Sequence, residues 1–104
     1  MVCEVQKRGD AIHVSGDMTI YEAMSLRDAL FEALDREPGR AIVDVSHVAE
    51  IDTTGVQILI VAQRTCTARG ESFTLANPST VVRETLELMR VNSLPFASVE
   101  RAGT

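Results

Sequence analysis

Apolar and polar residues follow two different periods along the chain, and each change of period predicts a change of secondary structure. Loose alternation over residues 2–7 and 11–14 predicts two strands, with the turn Arg8-Gly9-Asp10 between them. These strands should pair as an antiparallel hairpin, and the second strand should end at Ser15-Gly16. Residues 41–46, "AIVDVS", form a short β-branched run that is typical of a buried strand.

Helical spacing begins after Thr19, where Thr19-x-x-Glu22 has the spacing of a capping box. A helix is predicted to follow and to stop at Glu37-Pro38-Gly39. Its apolar residues recur at intervals of three and four and share one face: Ala23, Leu26, Leu30, Ala33 and Leu34.

The second half of the chain continues this alternation of strands and helices. A second helix is predicted over residues 53–69, and a strand over residues 72–76. The turn Asn77-Pro78-Ser79 can cap a third helix over residues 80–89. Residues 94–99 then predict a last short strand.

Strands that alternate with helices need crossover connections, which favour parallel pairing. The pattern therefore predicts an α/β fold: a mixed, mostly parallel central sheet of four to five strands, packed with about three main helices. Because no linker, repeat or low-complexity segment interrupts the chain, we expect a single domain over residues 1–104, with a core of about 2–99 and a tail of 100–104.

Composition narrows the possible functions. Apolar residues make up 45% of the chain, and the formal net charge of −5 argues against nucleic-acid binding, which needs a basic patch. The start of the chain has no apolar segment typical of a signal peptide, and the longest aliphatic run, "ILIVA", is too short to span a bilayer. We therefore expect a soluble, cytoplasmic protein with no direct membrane insertion.

The sequence offers no pattern typical of an enzyme, a metal site or a bound cofactor. There is no Ser-His-Asp order, and neither GxGxxG nor GxxxxGK[ST] occurs. Cys3 and Cys66 lack the spacing of metal ligands and are expected to be reduced, partly buried thiols. We therefore expect a protein without catalytic activity.

Polar residues between two apolar stretches mark one candidate site, "IDTTGV". Asp52 can cap the second helix, which places Thr53 and Thr54 in its first turn, and Gly55 leaves room for a partner's backbone. The residues alone are compatible with ordinary capping and with a place where charge is added and removed.

A longer stretch, "IVDVSHVAEIDTTGVQIL", resembles the signature of the STAS domain, named for sulfate transporters and anti-sigma factor antagonists. The segments "VSGDMTIYEAMSLRDAL" and "ARGESFTLANPSTVVRETLELMRV" are similar to the family's first helical element and to its second strand-turn-helix element. Since these segments occur in the family's order and cover nearly the whole chain, the resemblance implies a single STAS-like domain.

The resemblance to anti-sigma factor antagonists implies a non-enzymatic binding module. The hydroxyl residue directly after the motif Asp is the phosphoacceptor of such proteins, which corresponds here to Thr53, with Thr54 as the less favoured alternative. A partner serine/threonine kinase, which is also the anti-sigma factor, would add the phosphate, and a phosphatase would remove it. Asp44 and Ser46 match the family's Asp-x-Ser and are interpreted as structural.

The form "DTTGVQIL" is also similar to STAS proteins encoded with chemotaxis kinases and to the STAS subunit of phospholipid-transporting ATP-binding cassette complexes. The alternative function is therefore constitutive docking on a transporter ATPase through the same helix. That helix is apolar on two sides, so Ile58 and Val61 lie either under neighbouring helices or on a docking surface. The predicted partner-binding residues are Asp52, Thr53, Thr54, Gly55, Gln57, Ile58 and Val61.

Overall fold

The computed structural model describes residues 3–36 and 39–97. Over these residues the chain alternates strands and helices as the periodicity predicts. The elements, in chain order, are β1 (Glu4–Arg8), β2 (Ala11–Met18), a 3₁₀ turn (Ile20–Glu22), α1 (Ala23–Arg36), β3 (Arg40–Ile51), α2 (Thr53–Ala68), β4 (Ser72–Ala76), α3 (Thr80–Leu88) and β5 (Phe96–Ala97).

The five strands form one sheet in the order β1-β2-β3-β4-β5. Strands β1 and β2 pair antiparallel, while the pairs β2–β3, β3–β4 and β4–β5 are parallel. The mixed, mostly parallel sheet and the N-terminal hairpin are therefore confirmed. Each parallel pair is joined through a helix, as parallel pairing requires.

Strands β2 and β3 are longer than the sequence predicts. Strand β2 continues past Ser15-Gly16 to Met18, and β3 runs from Arg40 to Ile51 rather than ending at Ser46. The two strands pair along this extension, with Asp17 opposite Glu50. Two register shifts between them absorb two extra residues of β3, a bulged geometry that local sequence does not specify.

Helix α1 begins later than predicted. Thr19 makes no side-chain capping hydrogen bond, and a 3₁₀ turn over Ile20–Glu22 precedes the helix, so the predicted capping box is wrong. The apolar face of α1 is confirmed, since Leu26, Leu30 and Leu34 are all buried.

The other element boundaries agree closely with the prediction. Strand β4 and the start of α2 lie where expected, and Ser79 caps α3 by accepting a hydrogen bond from the backbone N–H of Val82. Within the described residues, strand β5 covers Phe96–Ala97. The last two residues of the predicted final strand and the predicted tail lie outside the described residues.

One hydrophobic core joins the sheet to the three helices. Val43 and Val45 of β3 are wholly buried in it, together with Leu59 of α2 and Leu75 of β4. No helix among the described residues is long and apolar enough to cross a membrane.

Candidate functional site

Asp52 links the first turn of α2 to the end of β2. Its Oδ1 accepts a hydrogen bond from the backbone N–H of Gly55 at 3.1 Å, and its Oδ2 accepts one from the N–H of Ile20 at 3.0 Å. Its own N–H donates to the carbonyl oxygen of Met18 at 3.2 Å. The predicted N-cap is present, and its carboxylate also holds the 3₁₀ turn against α2.

Gly55 is buried and contacts the protein's own backbone. A Cβ atom built at Gly55 would lie 2.1 Å from the carbonyl oxygen of Met18, much closer than two such atoms can approach. The missing side chain therefore allows β2 to approach α2, and the expectation that it makes room for a partner's backbone is not supported by this packing.

The hydroxyl residues of the motif differ in exposure. Thr53 is exposed, and Thr54 is partly buried. Thr53 lies at the first position of α2, where the backbone N–H groups of the helix lack intrahelical acceptors and the helix dipole is positive. An anionic group on Thr53 would therefore lie in a favourable local field.

The two sides of α2 have different surroundings. Ile58 is 9% exposed and belongs to the core, whereas Val61 is 50% exposed and Gln57 is exposed. The predicted docking face is therefore divided: Ile58 lies under its neighbours and offers a partner little surface, while Gln57 and Val61 are accessible. The accessible part of the predicted site consists of Thr53, Gln57 and Val61, with Asp52 and Thr54 partly exposed.

Asp44 is the buried carboxylate among the residues that the structure describes, with 1% exposure. Its Oδ1 accepts from the N–H and the hydroxyl of Ser46 at 2.9 and 2.6 Å, and its Oδ2 accepts from Asn77 Nδ2 at 3.0 Å. Burial by itself raises the pKa of Asp44, but these hydrogen bonds and the nearby His13 lower the pKa below its ordinary value.

These contacts join strand β3 to the turn after β4. Asn77 has a φ of 50°, a left-handed conformation that Asn adopts more readily than most residues. The Asp44 carboxylate thus holds the turn from which Ser79 caps α3, which agrees with the structural interpretation of Asp44 and Ser46.

One feature next to the motif is absent from the predicted site. Ile20, Tyr21 and Met24 are 63%, 91% and 73% exposed. A helical projection of the sequence indicates that two of these side chains are exposed, since Tyr21 and Met24 lie well away from the face that carries Leu26 and Leu30.

Within residues 3–36 and 39–97, no group of His, Cys, Asp or Glu side chains is arranged to hold a metal ion. Cys3 and Cys66 are free thiols, half-buried and buried respectively. Burial raises the pKa of Cys3 to about 11, helped by the nearby carboxylates of Glu22, Asp17 and Glu4, so this thiol is a weak nucleophile at neutral pH.

Comparison with known proteins gives a clear family match. A family model described as "Mlab, STAS domain" matches residues 3–96. No curated protein matches the sequence.

Solved structures share the fold at low sequence identity. The anti-sigma factor antagonist SpoIIAA in its unphosphorylated form matches with a TM-score of 0.72 and 14% identity, over 96% of this chain and 90% of that chain. SpoIIAA from Bacillus in its phosphorylated form matches with a TM-score of 0.69 and 13% identity, over 96% and 93%. An anti-sigma factor antagonist (STAS) domain protein from Planctomyces limnophilus matches with a TM-score of 0.73 and 14% identity, over 96% and 92%.

Proposed function

The chain belongs to the STAS domain family, and we propose that it is a non-enzymatic regulatory module that acts as an anti-sigma factor antagonist. It binds a partner protein, an anti-sigma factor that is also a serine/threonine kinase, while Thr53 is unmodified. Phosphorylation of Thr53 by that kinase releases the partner, and a separate phosphatase restores binding.

The observation that carries this proposal is the exposed Thr53 hydroxyl directly after Asp52. Both carboxylate oxygens of Asp52 accept hydrogen bonds within the domain, so the start of α2 is held without help from Thr53. A phosphate on Thr53 would extend from the helix N-terminus, where the dipole and the N–H groups favour an anion. We therefore expect the fold to tolerate the modification.

The effect of phosphorylation falls on whatever covers Thr53. A phosphate adds about −1.5 to −2 charges at neutral pH next to the Asp52 carboxylate. A partner that buries this position must then desolvate and oppose that charge. Every 1.4 kcal/mol of lost binding free energy is about a tenfold loss of affinity, so a modest penalty is enough for a switch.

The comparisons support this proposal through the fold. SpoIIAA, an anti-sigma factor antagonist, is known in unphosphorylated and phosphorylated forms, and both forms align with nearly all of this chain. A fold of this type therefore accommodates a phosphate in that protein.

A second candidate function is constitutive docking on a transporter ATPase or a chemotaxis-associated partner, without phosphorylation. The matching family model is described as "Mlab, STAS domain" and not as an anti-sigma factor antagonist, which supports keeping constitutive docking as a second candidate. The same accessible residues of α2 would then form a permanent interface.

Intact-mass analysis distinguishes the two functions. The protein is incubated with ATP and a candidate partner kinase of the histidine-kinase-like ATPase class. We expect wild type and Thr54→Ala to gain one phosphate, and Thr53→Ala to gain none. Stable binding with no phosphate on any variant would favour the constitutive function. If Thr54→Ala alone gains no phosphate, the acceptor is Thr54.

A further inference from the structure

Strand β1 forms one edge of the sheet. It pairs with β2 on one side, and on its other side no strand lies among the residues that the structure describes. Four of its five residues are exposed, and Val5 is partly buried. An edge strand presents backbone N–H and C=O groups that can pair with another strand.

The turn between β1 and β2 determines which backbone groups of β1 face outward. Arg8 and Ala11 flank a two-residue turn and form the hydrogen-bonded pair that closes it. Along an antiparallel strand, every second residue directs its N–H and C=O at the neighbouring strand. The N–H and C=O groups of Val5 and Lys7 therefore point away from β2, towards the open edge.

A second copy of β1 can pair with this edge in one favourable register. When two antiparallel copies are related by a twofold axis through Gln6, Val5 of each copy lies opposite Lys7 of the other, and their outward groups form hydrogen bonds. The same register places Glu4 of each copy opposite Arg8 of the other, and opposite charges on directly opposed strand residues are stabilising.

The neighbouring registers lack this match. A twofold axis through Val5 would place Glu4 opposite Gln6, and an axis through Lys7 would place two lysines opposite each other. Charged residues on an edge strand commonly prevent pairing between copies. Here the order of the charges along β1 makes the edge complementary to itself.

A groove beside this edge offers further contact area. It lies between β1 and α1, has a volume of about 250 Å³, and is lined by Val5, Lys7, Ala29, Glu32, Ala33 and Arg36. Directly opposed residues of paired strands share one face of the sheet. The Val5 and Lys7 side chains of a second copy would therefore extend on the α1 face, at the mouth of this groove.

We propose that the chain forms a twofold-symmetric dimer in which β1 pairs with β1 of a second copy, centred on Gln6, so that the two sheets become one. This inference goes beyond the proposed function and does not rest on it, since it uses neither Thr53 nor α2. The pairing strand has five residues, so the interface is small and the dimer should dissociate on dilution.

Sedimentation velocity of the full-length chain tests the dimer over a range of concentrations. It is done at low ionic strength, where charge pairs on the surface are least screened. We expect the dimer fraction to rise through the high-micromolar range and to fall when salt is added. A chain that stays monomeric up to about 1 mM would overturn the proposal.

A charge exchange tests the register. Glu4→Arg and Arg8→Glu change exposed side chains, so both variants should keep the wild-type thermal midpoint. Each variant alone opposes like charges at both ends of the interface and should dimerise about tenfold more weakly. An equimolar mixture should regain wild-type dimerisation, because the arginines of one variant then face the glutamates of the other. A mixture that is as weak as its components would overturn this register.

A proline tests the backbone pairing. Lys7→Pro removes an N–H that β2 does not use, and Lys7→Ala is the matched control that keeps it. We expect Lys7→Pro to dimerise at least tenfold more weakly and Lys7→Ala to dimerise like wild type. Unchanged dimerisation by a folded Lys7→Pro would show that the interface lies elsewhere. If the proline lowers the thermal midpoint, the charge exchange decides, since it leaves the backbone unchanged.

Discussion

The carbonyl oxygen of Met18 occupies the place where a side chain on Gly55 would begin. A Cβ atom at Gly55 would lie 2.1 Å from this oxygen and 2.9 Å from the Cβ of Met18. The glycine of the motif therefore sets how closely the end of β2 approaches the first turn of α2, and it brings Asp52 within reach of the N–H of Ile20.

Gly55→Ala should consequently destabilise the domain. Because Met18 presents a backbone atom, the clash can be relieved only by moving β2 or α2, which typically costs about 1–3 kcal/mol. The higher helix propensity of Ala recovers only about 1 kcal/mol or less. Denaturant unfolding measures the loss, with the exposed Gln57→Ala as the control. An unchanged midpoint for Gly55→Ala would mean that this contact is not tight in solution.

Thr53→Ala should fold and bind the partner, whereas Thr53→Glu should fold and bind less well. The Asp52 carboxylate caps α2, so loss of the Thr53 hydroxyl has little effect on stability. A carboxylate at Thr53 carries only part of the charge of a phosphate, so its effect on binding should be incomplete. Calorimetric titration against the partner kinase measures both affinities. Equal affinities would favour the constitutive docking function.

Ile58→Asp should mainly lower the stability of the domain, whereas Val61→Asp should mainly weaken partner binding. Ile58 is 9% exposed, so a carboxylate there should lower the free energy of unfolding by several kcal/mol, a large part of the roughly 5–15 kcal/mol of a typical domain. Val61 is 50% exposed, so its variant should remain folded and bind the partner more weakly. Thermal unfolding and a pull-down on the same samples test this. Intact binding by Val61→Asp would confine the docking surface to the first turn of α2 and the residues around it.

Asp44→Asn should destabilise the domain, and the free energy of unfolding of the variant should depend less on pH at low pH than that of wild type. The carboxylate accepts three hydrogen bonds from Ser46 and Asn77. In the variant, the NH₂ group of the amide would face at least one of these N–H or O–H donors, and the lost hydrogen bonding costs about 1–3 kcal/mol. Because folding lowers the pKa of Asp44, its stabilising contribution is complete above the unfolded value of about 3.9 and is lost as the pH falls through the folded value.

Urea unfolding of wild type and Asp44→Asn between about pH 7 and pH 2 measures this contribution, given the ordinary Asp pKa of about 3.9. The difference between the two free energies of unfolding should be constant near neutral pH and should shrink below about pH 4. A difference that grows as the pH falls would contradict the lowered pKa of Asp44.

The sequence by itself determined the order and type of the elements, because these depend on local periodicity and local capping. The three-four spacing of Leu26, Leu30 and Leu34 identified the buried face of α1, and Asp52 and Ser79 marked the starts of α2 and α3. The hydroxyl next to Asp52 was likewise identifiable, since its chemistry lies in one short stretch.

Tertiary structure decided the features that depend on residues far apart in the chain. Strand β3 continues beyond Ser46 because β2 offers it a paired edge, and the bulges in this ladder have no local signal. Thr19 makes no side-chain capping bond, and the N–H of Ile20 that follows it donates to the carboxylate of Asp52, from a distant part of the chain.

The surface of the candidate site was decided in the same way. Helix α2 is apolar on two sides, so periodicity alone could not tell that Ile58 is covered and Val61 is not. That distinction depends on where α1 and the sheet pack against α2. The same packing leaves Ile20, Tyr21 and Met24 exposed beside Thr53, because the Asp52 hydrogen bond and the Met18–Gly55 contact hold their turn at the start of α2.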